Sequence, residues 1–283
     1  MLPTALASAS ALGALADASA PDKAGQSLLN PTPAAFLREL STDRPDKTES
    51  PYTVDAGHFQ LEMDLATCTW NRDTRHGADT RTTAWAVAPL NLKAGLLPDV
   101  DLQLVIETWN HVRTEDRIAG TVLRQSGFGD LTVRVKKNFW GNEGGPTALG
   151  LMPFVKLPTN EDQLGNHAVE GGLILPLAVE LPAGWGLGLM TEADFRRDEA
   201  GSGHHAAFIH SATFSQDLVG RLGGYAEFFS EVSTETGADW IGTVDLGLTY
   251  GLTDNLQLDL GVNIGVTDSA EDLSPFVGLS CRF

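Results

Sequence analysis

Residues 251–262 read GLTDNLQLDLGV and residues 95–106 read GLLPDVDLQLVI; the two stretches align without a gap. Each opens on Gly, bends through Asp or Asn, and then places an apolar residue at every second position. Leu256, Leu258 and Leu260 alternate with Gln257 and Asp259. Val100, Leu102, Leu104 and Ile106 alternate with Asp101, Gln103 and Glu107 in the same way. A period of two is the mark of a strand with two unlike faces, so these stretches are one turn-plus-strand unit used twice.

The unit recurs along the chain. Phe59, Leu61, Met63 and Leu65 alternate with His58, Gln60, Glu62 and Asp64. From Tyr52 onward the pattern places strands near 54–70, 80–94, 99–110, 128–140, 147–157, 168–181, 185–195, 205–215, 219–231, 239–250, 255–266 and 275–283. The 232 residues of 52–283 allow about 19 for each strand and its connection, which a membrane-spanning strand and loop would fill. The connections alternate in length. Gly95 to Pro98, Pro182 to Gly184, Gln216 to Leu218 and Gly251 to Asp254 are tight; 71–79, 111–127, 158–167 and 267–274 are longer and charged. The turn from Gly141 to Pro146 is of middling length. Short turns at one end and long loops at the other are the plan of an outer-membrane barrel, short side to the periplasm. The expected fold is therefore all-β: one antiparallel transmembrane β-barrel of twelve strands over 52–283.

Composition narrows the alternatives. The chain of 283 residues is 42% hydrophobic, with no apolar run of about 18 residues, so it is not a bundle of membrane helices. A net charge of -18 argues against nucleic acid as a partner, because phosphate binding needs a basic surface. The two cysteines, Cys68 and Cys281, form no CxxC, and the strand pattern puts Cys68 high on the lumen face of the first strand and Cys281 low on the lipid face of the last. No disulfide is expected between them.

The termini fit export. Residues 1–20 are rich in Ala, Leu and Ser and end Ala18-Ser19-Ala20, a small-x-small cleavage pattern, so 1–20 reads as a signal peptide although its start lacks Lys and Arg. Residues 21–51, punctuated by Pro21, Pro31, Pro33, Pro45 and Pro51, read as an extended leader able to enter the barrel as a plug. Its segment Asp43, Arg44, Pro45, Asp46 is the part best able to pair with charges inside. At the other end Val277, Leu279, Cys281 and Phe283 share one face, and an aromatic final residue is the form of an outer-membrane insertion signal.

The polar face of the strands supplies the candidate lumen: Glu62, Asp64, Lys93, Asp101, Glu107, Asp130, Arg134, Lys136, Lys156, Glu192, Asp194, Glu227, Asp245, Asp259 and Arg282. Inward charges must be solvated or paired. They therefore line a water-filled passage or cross-link a filled interior; a twelve-strand barrel is compatible with both. Trp185, Phe139 and Tyr250 fall near short-turn ends on the apolar parity and Trp240 near a long-loop end, as interfacial girdles would, whereas Trp70 and Trp109 have the lumen parity.

Residues 42–64 (TDRPDKTESPYTVDAGHFQLEMD), with Gly127 to Leu131, Arg134, Lys136 and Leu157-Pro158-Thr159, resemble elements of the phenol meta-pathway outer-membrane transporter family. The likeness spans 42–283. It implies an outer-membrane barrel that transports small aromatic or hydrophobic compounds, without naming one.

Catalytic and metal readings find less support. His204 and His205 are adjacent and point to opposite faces of a strand, with His210 nearby and no Cys or acidic partner at ligand spacing, so no metal is expected. His210 and Ser211 likewise lie on opposite faces, and there is no GxSxG. Neither an enzyme nor a cofactor is expected. The sequence points to a passive channel in the Gram-negative outer membrane, with membrane lipid and lipopolysaccharide, the barrel-insertion machinery and a small solute as partners. Its acidic balance, including Glu161, Asp162, Glu231, Glu235, Asp268, Glu271 and Asp272 near the outer loops, favours cations or neutral solutes. The alternatives are a non-conducting barrel with a filled lumen and a lipid-modifying enzyme.

Overall fold

A computed structural model describes residues 23–165, 167–198 and 202–283; the expected signal peptide lies outside the described residues. Twelve antiparallel strands pair in chain order, and the last pairs with the first to close a barrel. Strand β1 is Phe59–Asp73. The next three are each made of two segments: β2 of Thr80–Val87 and Leu90–Leu97, β3 of Val100–Ile106 and Trp109–Asp116, β4 of Thr121–Gly127 and Leu131–Trp140. The remainder are β5 (Thr147–Leu157), β6 (Glu170–Glu180), β7 (Trp185–Arg197), β8 (His204–Val219), β9 (Leu222–Ser233), β10 (Ile241–Thr253), β11 (Leu256–Gly265) and β12 (Leu273–Arg282).

The two aligned stretches adopt one structure. In each, a register shift follows the Gly (Gly95/Leu97 and Gly251/Thr253), a two-residue turn follows (Pro98-Asp99 and Asp254-Asn255), and the next strand begins. The faces are inverted relative to a water-soluble sheet. Leu258 and Leu260 are 37% and 53% exposed, while Asp259 between them is 3% exposed and Asp245 on the neighbouring strand is fully buried. The inner wall is polar nearly all round, interrupted by one apolar cluster of Met152, Ile174, Met190 and Ile209 with Phe154 and Phe229 against it.

A bulge in β1 alters the expected parity. Its pairing with β12 slips between Asp64 and Ala66, and one extra residue in a strand exchanges its two faces. Beyond it Thr69 turns inward to Ser274, 2.9 Å between hydroxyls, and Trp70 turns outward, 42% exposed. Cys68 lies across from Trp85 on that outer face, not on the lumen face. Trp109 is likewise exposed, because β3 breaks just before it at Glu107 and Thr108.

That break is one of three side by side. β2 breaks at Ala88 and Pro89, where Ala88 has φ +56°, and β4 at Phe128 to Asp130. Gly129 leaves room for Glu107: a Cβ at Gly129 would stand 1.8 Å from the Glu107 carboxylate. Above the breaks the chain continues as sheet, so the expected loop 111–127 is instead a hairpin. Its turn is set by Asp116, which accepts the N–H groups of Ile118 and Ala119 at 2.9 Å each, and by Gly120 at φ +67°. Strands that clear the bilayer need no lipid-facing apolar residue, so their alternation fades from the sequence. The free edge of Thr121–Gly127 is capped by the next loop: Glu161 N–H donates to Phe128 O at 2.9 Å and Ser126 N–H to Asp162 Oδ2 at 2.9 Å.

Candidate functional site

The leader enters the barrel and spans it. Its order comes from side chains, since residues 37–58 form no helix or strand. Asp43 is buried against β1, β2, β3 and β4. Its carboxylate accepts Lys93 Nζ and Lys136 Nζ at 2.5 Å each, Gln103 Nε2 at 3.3 Å and the Ser50 N–H at 3.0 Å. Glu62 also pairs with Lys93 and accepts the Asp43 N–H at 3.0 Å. Asp101 accepts the Val54 N–H at 3.0 Å. Two buried ammonium groups paired with the carboxylates of Asp43 and Glu62, with hydrogen bonds satisfying the remaining oxygens, form a network in which such charges are tolerable away from water.

Arg44 reaches the adjoining wall of β1, β11 and β12. It lies 2.5 Å from Asp64 Oδ1 and 2.7 Å from Asp259 Oδ1, and its guanidinium sits 5.7 Å from the Phe276 ring centroid. Gly278 makes this possible, because a Cβ there would stand 2.1 Å from Arg44 Nη2. Lys47 extends to Asp245 at 3.3 Å and lies 4.5 Å from the Phe229 ring centroid. Thr48 donates to Glu227 Oε1 at 2.5 Å and meets Ser211 Oγ at 2.6 Å. Glu49 accepts Arg134 Nη1 at 2.5 Å. Residues 43–49 thus touch the wall on both sides of the barrel.

Nearer the short-turn end a second network fixes the rest of the leader. Asp55 is ringed by Lys23 at 3.2 Å, Arg38 at 3.0 Å and Arg282 at 3.8 Å. The middling turn after β4 has a use here: Asn142 donates to Thr53 Oγ1 at 2.7 Å, and Glu143 pairs with Lys23 at 2.9 Å. Pro45 and Asp46 line a chamber of about 670 Å³ at that end, with Arg44, Tyr225 and Gln257.

Toward the long-loop end lies a chamber of about 760 Å³. Its wall carries Arg134, Lys156, Glu170, Glu192, Asp194, Arg196 and Phe154. Lys156 pairs with Glu170 at 2.5 Å and lies 3.7 Å from Asp130, and Arg196 bridges Asp194 at 2.7 Å and Glu231 at 2.6 Å. Arg134 in this lining is the partner of Glu49 in the leader.

Thirteen of the fifteen expected lumen residues stand on the strands around these spaces, and Asp130 sits in the break of β4 just before Leu131. Glu107 is the other exception: it sits in the break of β3, where its carboxylate faces the Asp130 N–H at 3.4 Å. Gln60, Gln103 and Asn138 belong with the Asp43 network and share the parity of Glu62, Asp101 and Lys136, so extending the pattern from charged to all polar residues finds them. Lys23, Arg38, Lys47, Thr48 and Glu49 have no such signal, because the leader has no periodicity, and Asp55 lies in 54–58, which the pattern assigns to the first strand but which precedes β1. Phe283 closes the ring, donating its N–H to Phe59 O at 2.9 Å and accepting from Phe59 N–H at 3.0 Å. Both cysteines are free. Ser211 is buried in the wall and His210 is exposed on the other face, bonded to Thr191 at 2.9 Å.

A family model described as "Putative MetA-pathway of phenol degradation" matches residues 42–283. Among solved structures, an outer membrane channel from Pseudomonas putida F1 superposes with a TM-score of 0.61 at 14% identity, over 86% of this chain and 100% of that one. The transport unit of the autotransporter AIDA-I from Escherichia coli does so with a TM-score of 0.50 at 12% identity, over 88% and 94%. At such identities the likeness is one of fold, that of an outer-membrane barrel. No functionally curated protein matches the sequence.

Proposed function

The chain belongs to this phenol-degradation family and is a Gram-negative outer-membrane β-barrel, and from that premise we propose that it is a passive channel for small aromatic or hydrophobic solutes, with the leader as its internal gate. The observation that carries the reading is the division of the lumen. A chamber of about 760 Å³ ends at Arg134, whose partner Glu49 belongs to the leader, and a chamber of about 670 Å³ begins at Thr42 to Asp46 on its other side. Paired charges keep the outer space wet, while Phe154 in its lining offers a hydrophobic solute a surface to lie against. The channel requires no chemistry of its own. Its outer surface meets lipid and lipopolysaccharide, and Phe283 is read by the insertion machinery.

A non-conducting barrel is the second reading, favoured by the number of strands to which residues 43–49 are bonded. Conductance in a planar bilayer separates the two. A channel gives discrete openings that prefer cations over anions, enlarged when residues 23–51 are removed. A filled barrel inserts stably and stays silent. Openings that pass anions better than cations would contradict the acidic lining argument.

A further inference from the structure

At the long-loop end three side chains from separate parts of the chain converge. Asp198 directly follows β7, His205 is the second residue of β8, and Glu235 lies just past β9. His205 Nδ1 stands 3.0 Å from Asp198 Oδ1 and 3.6 Å from Glu235 Oε2. The ligand atoms of all three lie within 4.8 Å of one another. The His205 side chain is 10% exposed, and His205 and Glu235 line the outer chamber.

We propose that Asp198, His205 and Glu235 form a binding site for a divalent transition-metal cation, zinc being the best fit, at the rim of the outer chamber. Ligand atoms bound tetrahedrally at about 2.0–2.2 Å stand roughly 3.3–3.6 Å apart, and the two separations from His205 Nδ1 lie close to that range. The imidazole selects against calcium and magnesium, which take oxygen ligands. Two carboxylates match a divalent charge, and three protein ligands leave one position for water or a solute.

The backbone holds these groups in place independently of any ion. Asp198 N–H donates to Gly203 O at 3.1 Å. Gly203 passes so near that a Cβ there would stand 2.0 Å from Asp198 Oδ2. Thr234, beside Glu235, donates its N–H to the O of Ala206, beside His205, at 2.8 Å, and its hydroxyl accepts the Ala206 N–H at 3.0 Å. His204 takes no part. It stacks on Phe195 at a centroid distance of 4.9 Å on the other face.

The test is calorimetric titration of Zn²⁺ into the folded, untagged chain in detergent. One saturable site is expected, undisturbed by excess Ca²⁺. His205→Ala and Asp198→Asn should each weaken it by more than about tenfold, as loss of an ordered ligand does, and His204→Ala should leave it unchanged. Co²⁺ added to the wild-type chain should give the visible absorption of a four-coordinate ion, a readout that does not depend on any variant folding. Absence of a saturable site in the folded wild type, retention of it by His205→Ala, or equal loss in His204→Ala would overturn the assignment.

Discussion

Asp43 and Lys136 meet inside the barrel across 93 residues of sequence, carboxylate oxygen to ammonium nitrogen at 2.5 Å. Lys136 is fully buried, and Lys93 holds the other oxygen of the same carboxylate. Removing the shared anion leaves two ammonium groups with Glu62 and Asp101 as their nearby counter-charges. Asp43→Asn should therefore loosen the leader at a cost of about 3 kcal/mol, the usual scale for breaking a buried ion pair. Limited proteolysis within residues 42–52 checks this, and Lys136→Met in the same chain should recover part of the loss. Unchanged protection in Asp43→Asn would mean that the pair does not anchor the leader.

Phe283 and Phe59 exchange both backbone hydrogen bonds, and their rings stack at 6.2 Å. Deleting Phe283 removes the last rung of the closing seam, worth roughly 1–3 kcal/mol for two hydrogen bonds. The folded fraction in lipid vesicles, read from heat-modifiable gel mobility, should fall while the remaining strands still pair. Deletion with no effect on folding yield or rate would refute an insertion role for this residue.

Leu260 faces outward at the middle of β11, next to the buried Asp259. If that outer face meets lipid, Leu260→Arg should destabilise the barrel by about 2–4 kcal/mol, as a cation near the bilayer midplane does. A polar residue on a water-facing sheet would cost far less. Urea titration of the barrel in vesicles measures the difference.

Cys281 pairs in register with Leu61, seven residues below Cys68 on the same strand, so the two sulfurs are separated by roughly 20 Å along β1. Mass spectrometry of unreduced protein should find two free thiols and no Cys68–Cys281 link. A linked peptide would overturn the register of the closing seam.

In the outer loops Asp79 accepts Arg72 at 3.1 Å and lies 3.3 Å from Arg117. The Arg72 hydrogen bond, helped by the Arg117 charge, holds its carboxyl below the usual carboxylate range. The linkage then has one sign: a depressed acid contributes stability above its unfolded value, near about pH 3.9, and that stability is lost as pH falls further. Protease protection of the hairpin should therefore be flat from neutral pH down to about 4 and decline only below it. Loss of protection already near pH 6 would assign control of the hairpin to another group.

The alternation of residues carried the strand count, the lengths of the connections distinguished the two ends, and the strand number with the terminal Phe283 pointed to a membrane barrel with inverted faces. The alternation is legible because a period of two is local: each residue declares its face to its own strand, and lipid outside with water inside forces the declaration at every turn. The bulge at Leu65 lay beyond that pattern. An inserted residue changes the face of everything after it, and only the pairing of Asp64 and Ala66 with β12 reveals where the insertion sits. The hairpin above the breaks was hidden for a related reason, since strands clear of lipid have no apolar face to display. Least legible were the partners. Asp43, Arg44 and Glu49 could be seen as charges in an aperiodic leader, but Lys136, Asp259 and Arg134 become their neighbours only when the ring closes in one register. His205 acquired Asp198 and Glu235 the same way, from strand ends that the barrel brings side by side. Pattern fixes which way a side chain points; closure of the sheet decides what it meets.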